Sequence, residues 1–215
     1  TEALDEYGKA LEINPRDSSA RLQRAGVRIY LAEQQERAGQ SHKAEPLYRG
    51  AIEDCSAVLA IMPDRTEALY SRGYASQRLS DLSQALKDYS GVLKLEPDHT
   101  DAYVRRGQIL LRRGDLQTAL EDYTRALKLD PTHREALEER ADLHLQLASV
   151  ASEALDAVTA DAALNQAVID YTALTEHIRD VPSLYIKRGR ALARLGNTVA
   201  AEADYTHALT LDPAD

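Results

Sequence analysis

Two charged residue types recur along this chain in step. Arg24, Arg72, Arg106, Arg140 and Arg188 follow one another at spacings of 48, 34, 34 and 48 residues. Asp54, Asp88, Asp122, Asp170 and Asp204 repeat at 34, 34, 48 and 34, and Glu6 keeps the same register one step earlier. A repeated guanidinium could line up anion sites. A repeated guanidinium with a repeated carboxylate more simply makes one ion pair per structural unit, and that is the favoured reading. The remaining reactive residues build no centre. His99 and His133 occupy equivalent places, while His42, His144, His177 and His207 are scattered. No HExxH or other close ligand spacing occurs, so a metal is not expected. Cys55 is the single cysteine and reads as a small packed thiol rather than a nucleophile. There is no phosphate-cradling glycine loop, so no cofactor and no enzyme activity are expected.

The elements that must position these residues are helical. The chain is rich in Ala, Leu, Glu and Arg and poor in Gly and Pro. It has no Phe and no Trp, so tyrosine carries all the aromatic packing. Its net charge of −9 argues against a nucleic-acid backbone as the main partner. No apolar run approaches the roughly 18 residues needed to cross a bilayer. One cysteine forms no internal disulfide and leaves the compartment undetermined, with the cytoplasm favoured. The chain opens at Thr1 inside a helical pattern, which reads as the start of a segment cut from a longer protein. A leader or a fused catalytic domain could then precede it.

The clearest repetition lies between Thr66 and Pro131. Ser80-Asp81-Leu82 and Gly114-Asp115-Leu116 open matching stretches 34 residues apart. Pro15, Pro63, Pro97, Pro131 and Pro213 mark the register, with Arg179 standing where one further proline belongs. Eight residues before these markers stand Tyr7, Cys55, Tyr89, Tyr123, Tyr171 and Tyr205. Twelve before them stands Ala3, Ala51, Ala85, Ala119, Ala167 or Ala201, and ten after the first five stands Ala25, Gly73, Gly107, Ala141 or Gly189. The expected units are 1–17 (a trailing helix), 18–65, 66–99, 100–133, 134–181 and 182–215. Each complete unit should hold two helices. Gly or Ser ends the first, and Asp81, Asp115 or Asn197 caps the second. Units 18–65 and 134–181 are each 14 residues longer than the others. Fourteen residues is nearly four turns at ~3.6 residues per turn, so each helix of the pair should gain about two turns in phase. The first break is expected near Gly39-Gln40-Ser41, with Pro46 a candidate start for the following helix. The second is expected between Asp156 and Asp161.

These markers resemble the tetratricopeptide repeat, a 34-residue motif with a small residue in its first helix, Ala and an aromatic in its second, and Pro at its end. The resemblance covers essentially the whole chain. Cys55, Arg179 and the two long units depart from it. It implies an all-α fold: one α-solenoid, a right-handed superhelix of eleven helices, with two repeats extended by about two turns per helix.

In such repeats the first helices line a concave surface that binds a partner segment. The positions 4, 7, 11, 14 and 15 residues after each marker share one helical face. The partner-binding residues expected there are Tyr30, Tyr70, Tyr74, Arg78, Gln108, Arg112, Arg190 and Arg194. Tyr70 and Tyr74 lie one turn apart and outside the packing register, as anchors beside arginine would. The Lys and Asn positions that clamp a C-terminal carboxylate in one subtype are here Leu22 and Gly26, Tyr70 and Tyr74, Val104 and Gln108, so that function is not carried over. The function expected is a non-catalytic protein-interaction scaffold that binds a protein or peptide segment. The alternatives are self-association through the long hairpins and the regulatory region of a larger enzyme.

Overall fold

The helix signals become eleven helices among the residues described, 2–212, in a computed structural model of the chain. No strand occurs among those residues, and the last marker, Pro213, lies outside them. The helices are α1 (Glu2–Ile13), α2 (Ser18–Arg37), α3 (Ser41–Ile61), α4 (Thr66–Arg78), α5 (Leu82–Leu95) and α6 (Thr100–Arg112), followed by α7 (Leu116–Leu129), α8 (Arg134–Glu153), α9 (Ala157–His177), α10 (Pro182–Arg194) and α11 (Thr198–Leu211). They gather into two compact units, Thr1–Arg113 and Gly114–Asp215. Within each unit successive helices pack as neighbours.

The extra residues divide evenly. The ordinary pairs have helices of 13 and 14 residues, whereas α2 and α8 have 20 and α3 and α9 have 21. Each helix of a long pair therefore gains seven residues, close to two turns, and its buried face stays in phase.

The breaks repeat one geometry. A residue with positive φ ends the first helix and a polar residue caps the second. Gly39, Gly114 and Gly196 take that conformation at φ 70, 82 and 79°. Asp81, Asp115 and Asn197 then accept from the backbone N–H three residues on, at 3.0, 3.3 and 3.4 Å. Asp156 does the same for Thr159 at 3.0 Å. The second long break is thus Ala154-Leu155-Asp156, just before the stretch expected from sequence. The signal was weak because Leu155, not glycine, takes the left-handed turn at φ 59°. The expectation for Pro46 also needs correction. α3 starts at Ser41, and Pro46 sits inside it in the second turn, where it removes only the bond to the His42 carbonyl. His99 and His133 have a local role, each accepting through Nδ1 from the first turn of the next helix at 3.3 and 3.2 Å.

Leu155 gives a direct test of this turn. It is 91% exposed and so contributes little packing, while a side chain in the left-handed region costs about 1–2 kcal/mol. Leu155→Gly should raise stability by about 1 kcal/mol in urea unfolding, after the extra unfolded-state entropy of glycine is deducted. A loss of stability would show that the Leu155 side chain is held by contacts that outweigh its backbone strain.

Packing follows the small residues. Ala25, Ala51, Cys55, Val58, Ala68 and Ala75 form one buried cluster in the first unit, and Ala85, Tyr89, Val92 and Ile109 lie in another. A Cβ on Gly73 would stand 3.2 Å from both Asp88 Cβ and the Tyr89 ring, so the glycine lets α4 approach α5. Cys55 is fully buried, and burial pushes its thiol up to about 12. It is a packed, neutral thiol, as its place in the tyrosine register implies.

The repeated charges pair as expected. Arg24 meets Asp54 at 2.6 and 2.8 Å, Arg72 meets Asp88 at 2.7 and 2.9 Å, and each contact is bidentate. Arg140 and Asp170, then Arg188 and Asp204, repeat this in the second unit at 2.6–2.8 Å. Hydrogen bonding to the carboxylate raises the Arg24, Arg72 and Arg188 pKa values against the opposing effect of burial. Each of three arginines also reaches back to a hydroxyl on the preceding second helix: Ser56, Thr124 or Thr172, at 3.4–3.5 Å. One guanidinium so ties a helix pair together and joins it to the pair before.

Candidate functional sites on the first-helix faces

In the first unit the faces of α2, α4 and α6 meet through polar contacts. Tyr74 Oη donates to Glu33 at 2.6 Å, and the Arg105 guanidinium lies 5.5 Å from the centre of the same ring. Burial, together with the Glu33 bond, pushes the Tyr74 hydroxyl up to about 12. Tyr70 packs edge-on against Tyr89 at 5.6 Å and stacks on His99 at 5.0 Å. Both tyrosines are half-buried rather than the exposed pair expected from their spacing. That expectation treated one helix face at a time. The neighbouring first helices and the His99 turn cover much of the rings.

The nearby polar residues are similarly engaged. Arg78 donates to Glu36 at 2.5 Å, and Glu36 also accepts from Tyr48 Oη at 2.9 Å. Gln108 accepts from Gln77 and from Arg105, each at 3.3 Å. Gln77 in turn accepts from the buried Tyr89 hydroxyl at 3.0 Å. Of the residues expected on this face, Tyr30, Arg78 and Arg112 are exposed, with Tyr30 at 60%. Sequence reading missed Glu33 and Glu36. Both lie in the added turns of α2, which have no counterpart in the ordinary repeats.

In the second unit α8 and α10 form a groove. Lys187 bridges to Asp142 at 2.8 Å and Glu138 at 3.3 Å, and Tyr171 Oη donates to Asp142. Beyond this polar end lies a cavity of about 500 Å³. Its walls are Leu145, Gln146 and Ser149 of α8 and Arg190, Ala193 and Arg194 of α10, with the Tyr205 ring of α11 behind them. Arg190 and Arg194 are both exposed. Arg194 is oriented by Ser149 and Ser152, at 3.2 and 3.3 Å. Tyr205 stands in the packing register of the second helices. It reaches the groove because Gly189 lacks a side chain: a Cβ there would stand 2.7 Å from the ring.

No group of side chains among the described residues could hold a metal ion. No helix among them is long and apolar enough to cross a membrane.

Comparison with known proteins agrees with this geometry. Profiles described as tetratricopeptide repeat match residues 70–133, 110–166 and 182–215, together more than half of the chain. No curated protein sequence matches it significantly. Solved structures share the fold at low identity. PilW, titled a widely conserved type IV pilus biogenesis factor, is 19% identical over 97% of this chain and 84% of its own, with a TM-score of 0.66. A MamA fragment from Desulfovibrio magneticus RS-1 is 19% identical over 89% of this chain and 97% of its own, with a TM-score of 0.63. YrrB, titled a TPR protein with an unusual peptide-binding site, is 19% identical over 97% of this chain and 93% of its own, with a TM-score of 0.60. The profile matches fall on units already defined by their helix pairs, and the chain belongs to the tetratricopeptide repeat family of protein-interaction scaffolds.

Proposed function

We propose that the chain is a non-catalytic scaffold whose first-helix faces hold a segment of a partner protein, one that offers an apolar side chain beside a carboxylate. The observation that carries this reading is the groove between α8 and α10. Its walls include Leu145 and Ala193, and Arg190 and Arg194 stand exposed beside them. Arginine presents five N–H donors in a plane that matches a carboxylate. The two serines that orient Arg194 leave further donors for a ligand and reduce the entropy lost on binding. Tyr30 and Arg112 are the corresponding contacts on the first unit. Tyr70, Tyr74, Arg78 and Gln108 shape the wall beside them. The chain is acidic overall, so an acidic ligand must be drawn by these local arginines against the general field.

A displayed library of random peptides, selected on the whole chain, tests the proposal. The selected peptides should share a carboxylate next to an aliphatic residue. Arg190→Ala with Arg194→Ala should weaken their binding at least tenfold in fluorescence anisotropy, with no comparable fall in melting temperature. Selected peptides that bind the double variant as tightly as the unmodified chain would move the site elsewhere.

A further inference from the structure

A second surface in the Gly114–Asp215 unit has different chemistry. α9 has 21 residues and α7 has 14, so α7 falls about two turns short of its longer neighbours. The missing turns are at the α7 N-terminus. There Leu120 of α7 faces His144, Leu147 and Val150 from the C-terminal half of α8, and Ala162 and Ala163 from the N-terminal half of α9. These residues enclose a cavity of about 700 Å³, with mainly apolar walls. Val150 is 54% exposed beside it. The cavity runs along the flank of α7 from Gln117 to Thr124 and reaches Asp156 at the hairpin turn.

Charge selects the occupant. Between Arg140 and Arg179 the chain contains no lysine or arginine. Two of its carboxylates in that stretch are already neutralised, Asp142 by Lys187 and Asp170 by Arg140. Glu153, Asp156 and Asp161 cluster at the hairpin turn and the start of α9, and Asp156 lines the cavity. An apolar slot bordered by one sign of charge favours a segment with an apolar stripe and basic flanks. The long hairpin 18–65 lacks this character, since Arg37, Lys43 and Arg49 accompany its acidic residues.

We infer that the overhang of α8 and α9 beyond α7 is a docking site for a basic amphipathic helix of a partner protein. The site is separate from the groove between α8 and α10, and it takes a ligand of opposite charge.

The test uses the full chain and two labelled 18-residue helical peptides, one with leucine opposite lysine and one with leucine opposite glutamate. Anisotropy should show binding of the leucine–lysine peptide, with the leucine–glutamate peptide at least tenfold weaker. Val150→Lys with Ala162→Lys should weaken the leucine–lysine peptide at least tenfold. Both positions are exposed, so circular dichroism should show unchanged helix content. Asp156→Asn retains the α9 cap and should weaken binding by a smaller factor. Arg190→Ala with Arg194→Ala should leave this peptide unaffected, which separates the site from the groove. Equal binding by the Val150/Ala162 double variant would reduce the effect to general attraction by an acidic protein and overturn the inference. Equal binding of the two peptides, or no binding of either, would overturn it as well. Dimerisation in light scattering that this double variant abolishes and the peptide does not compete would assign the slot to a second copy of the chain instead.

Discussion

Arg72→Ala should destabilise the first unit by about 3–5 kcal/mol, whereas Arg24→Ala, the equivalent change one repeat earlier, should cost clearly less. The difference lies in what each carboxylate retains. The Asp88 side chain is 1% exposed, and its ion partner is Arg72 at 2.7 Å. Without the guanidinium it retains the Gln84 amide at 2.9 Å, a weak substitute for a buried charge. Asp54 is equally buried but also meets Arg28 at 2.7 Å and Arg21 at 3.4 Å. Its charge remains compensated when Arg24 is removed. Arg72→Ala also breaks the link to Ser56 and so loosens α4 from α3 as well as from α5. Urea unfolding of the two variants provides the measurement. Equal losses at both positions would mean that Arg28 and Arg21 do not compensate the Asp54 charge. Recovery of stability in a double variant, Arg72→Leu with Asp88→Leu, would identify the cost as that of an uncompensated charge.

Tyr70→Ala with Tyr74→Ala should lower stability by about 3 kcal/mol, because each ring contributes part of the roughly 1.5–3 kcal/mol of a fully buried apolar side chain. The stacking of Tyr70 on His99 and the Tyr74–Glu33 bond add to that loss. The separate contribution of the hydroxyl is isolated by Tyr74→Phe, which keeps the ring under Arg105 and removes only the bond to Glu33. That variant should lose about 1 kcal/mol. Thermal melts of the three proteins would settle the order. If the double alanine variant melts with the unmodified chain, the rings are surface anchors and their natural covering is a partner.

These two expectations mark where sequence reading succeeds and where it stops. The Arg–Asp bridges were legible because they repeat: Arg72 with Asp88, Arg140 with Asp170 and Arg188 with Asp204 keep the same offsets from a proline or its substitute. A strictly periodic signal at a helix–helix contact has one geometric solution, and the sequence states it several times. The phase of the 14 added residues was legible as well, since seven residues in each helix of a pair are close to two turns and keep both buried faces in place. Gly39, with Gln40 and Ser41, announced one hairpin turn. Leu155 concealed the other, because a leucine in the left-handed region contradicts its own local preference.

The sequence by itself determined the family, the helices, the repeat register and the charged pairs. All of these depend on contacts within one repeat or between consecutive ones, and the motif specifies such contacts. Tertiary structure alone decided which face residues are free. Tyr70 and Tyr74 sit half-buried on the same helical face as the exposed Arg190 and Arg194, committed to His99 and Glu33, and Arg78, though exposed, is tied to Glu36. Two of those partners, Glu33 and Glu36, lie in turns that only the long repeat possesses. The slot beside α7 is also a product of unequal neighbours, visible only when a 14-residue helix is laid against helices of 20 and 21. Exposure is a property of the spaces between elements, and a helical face read alone contains no information about the length or charge of the helix that packs beside it.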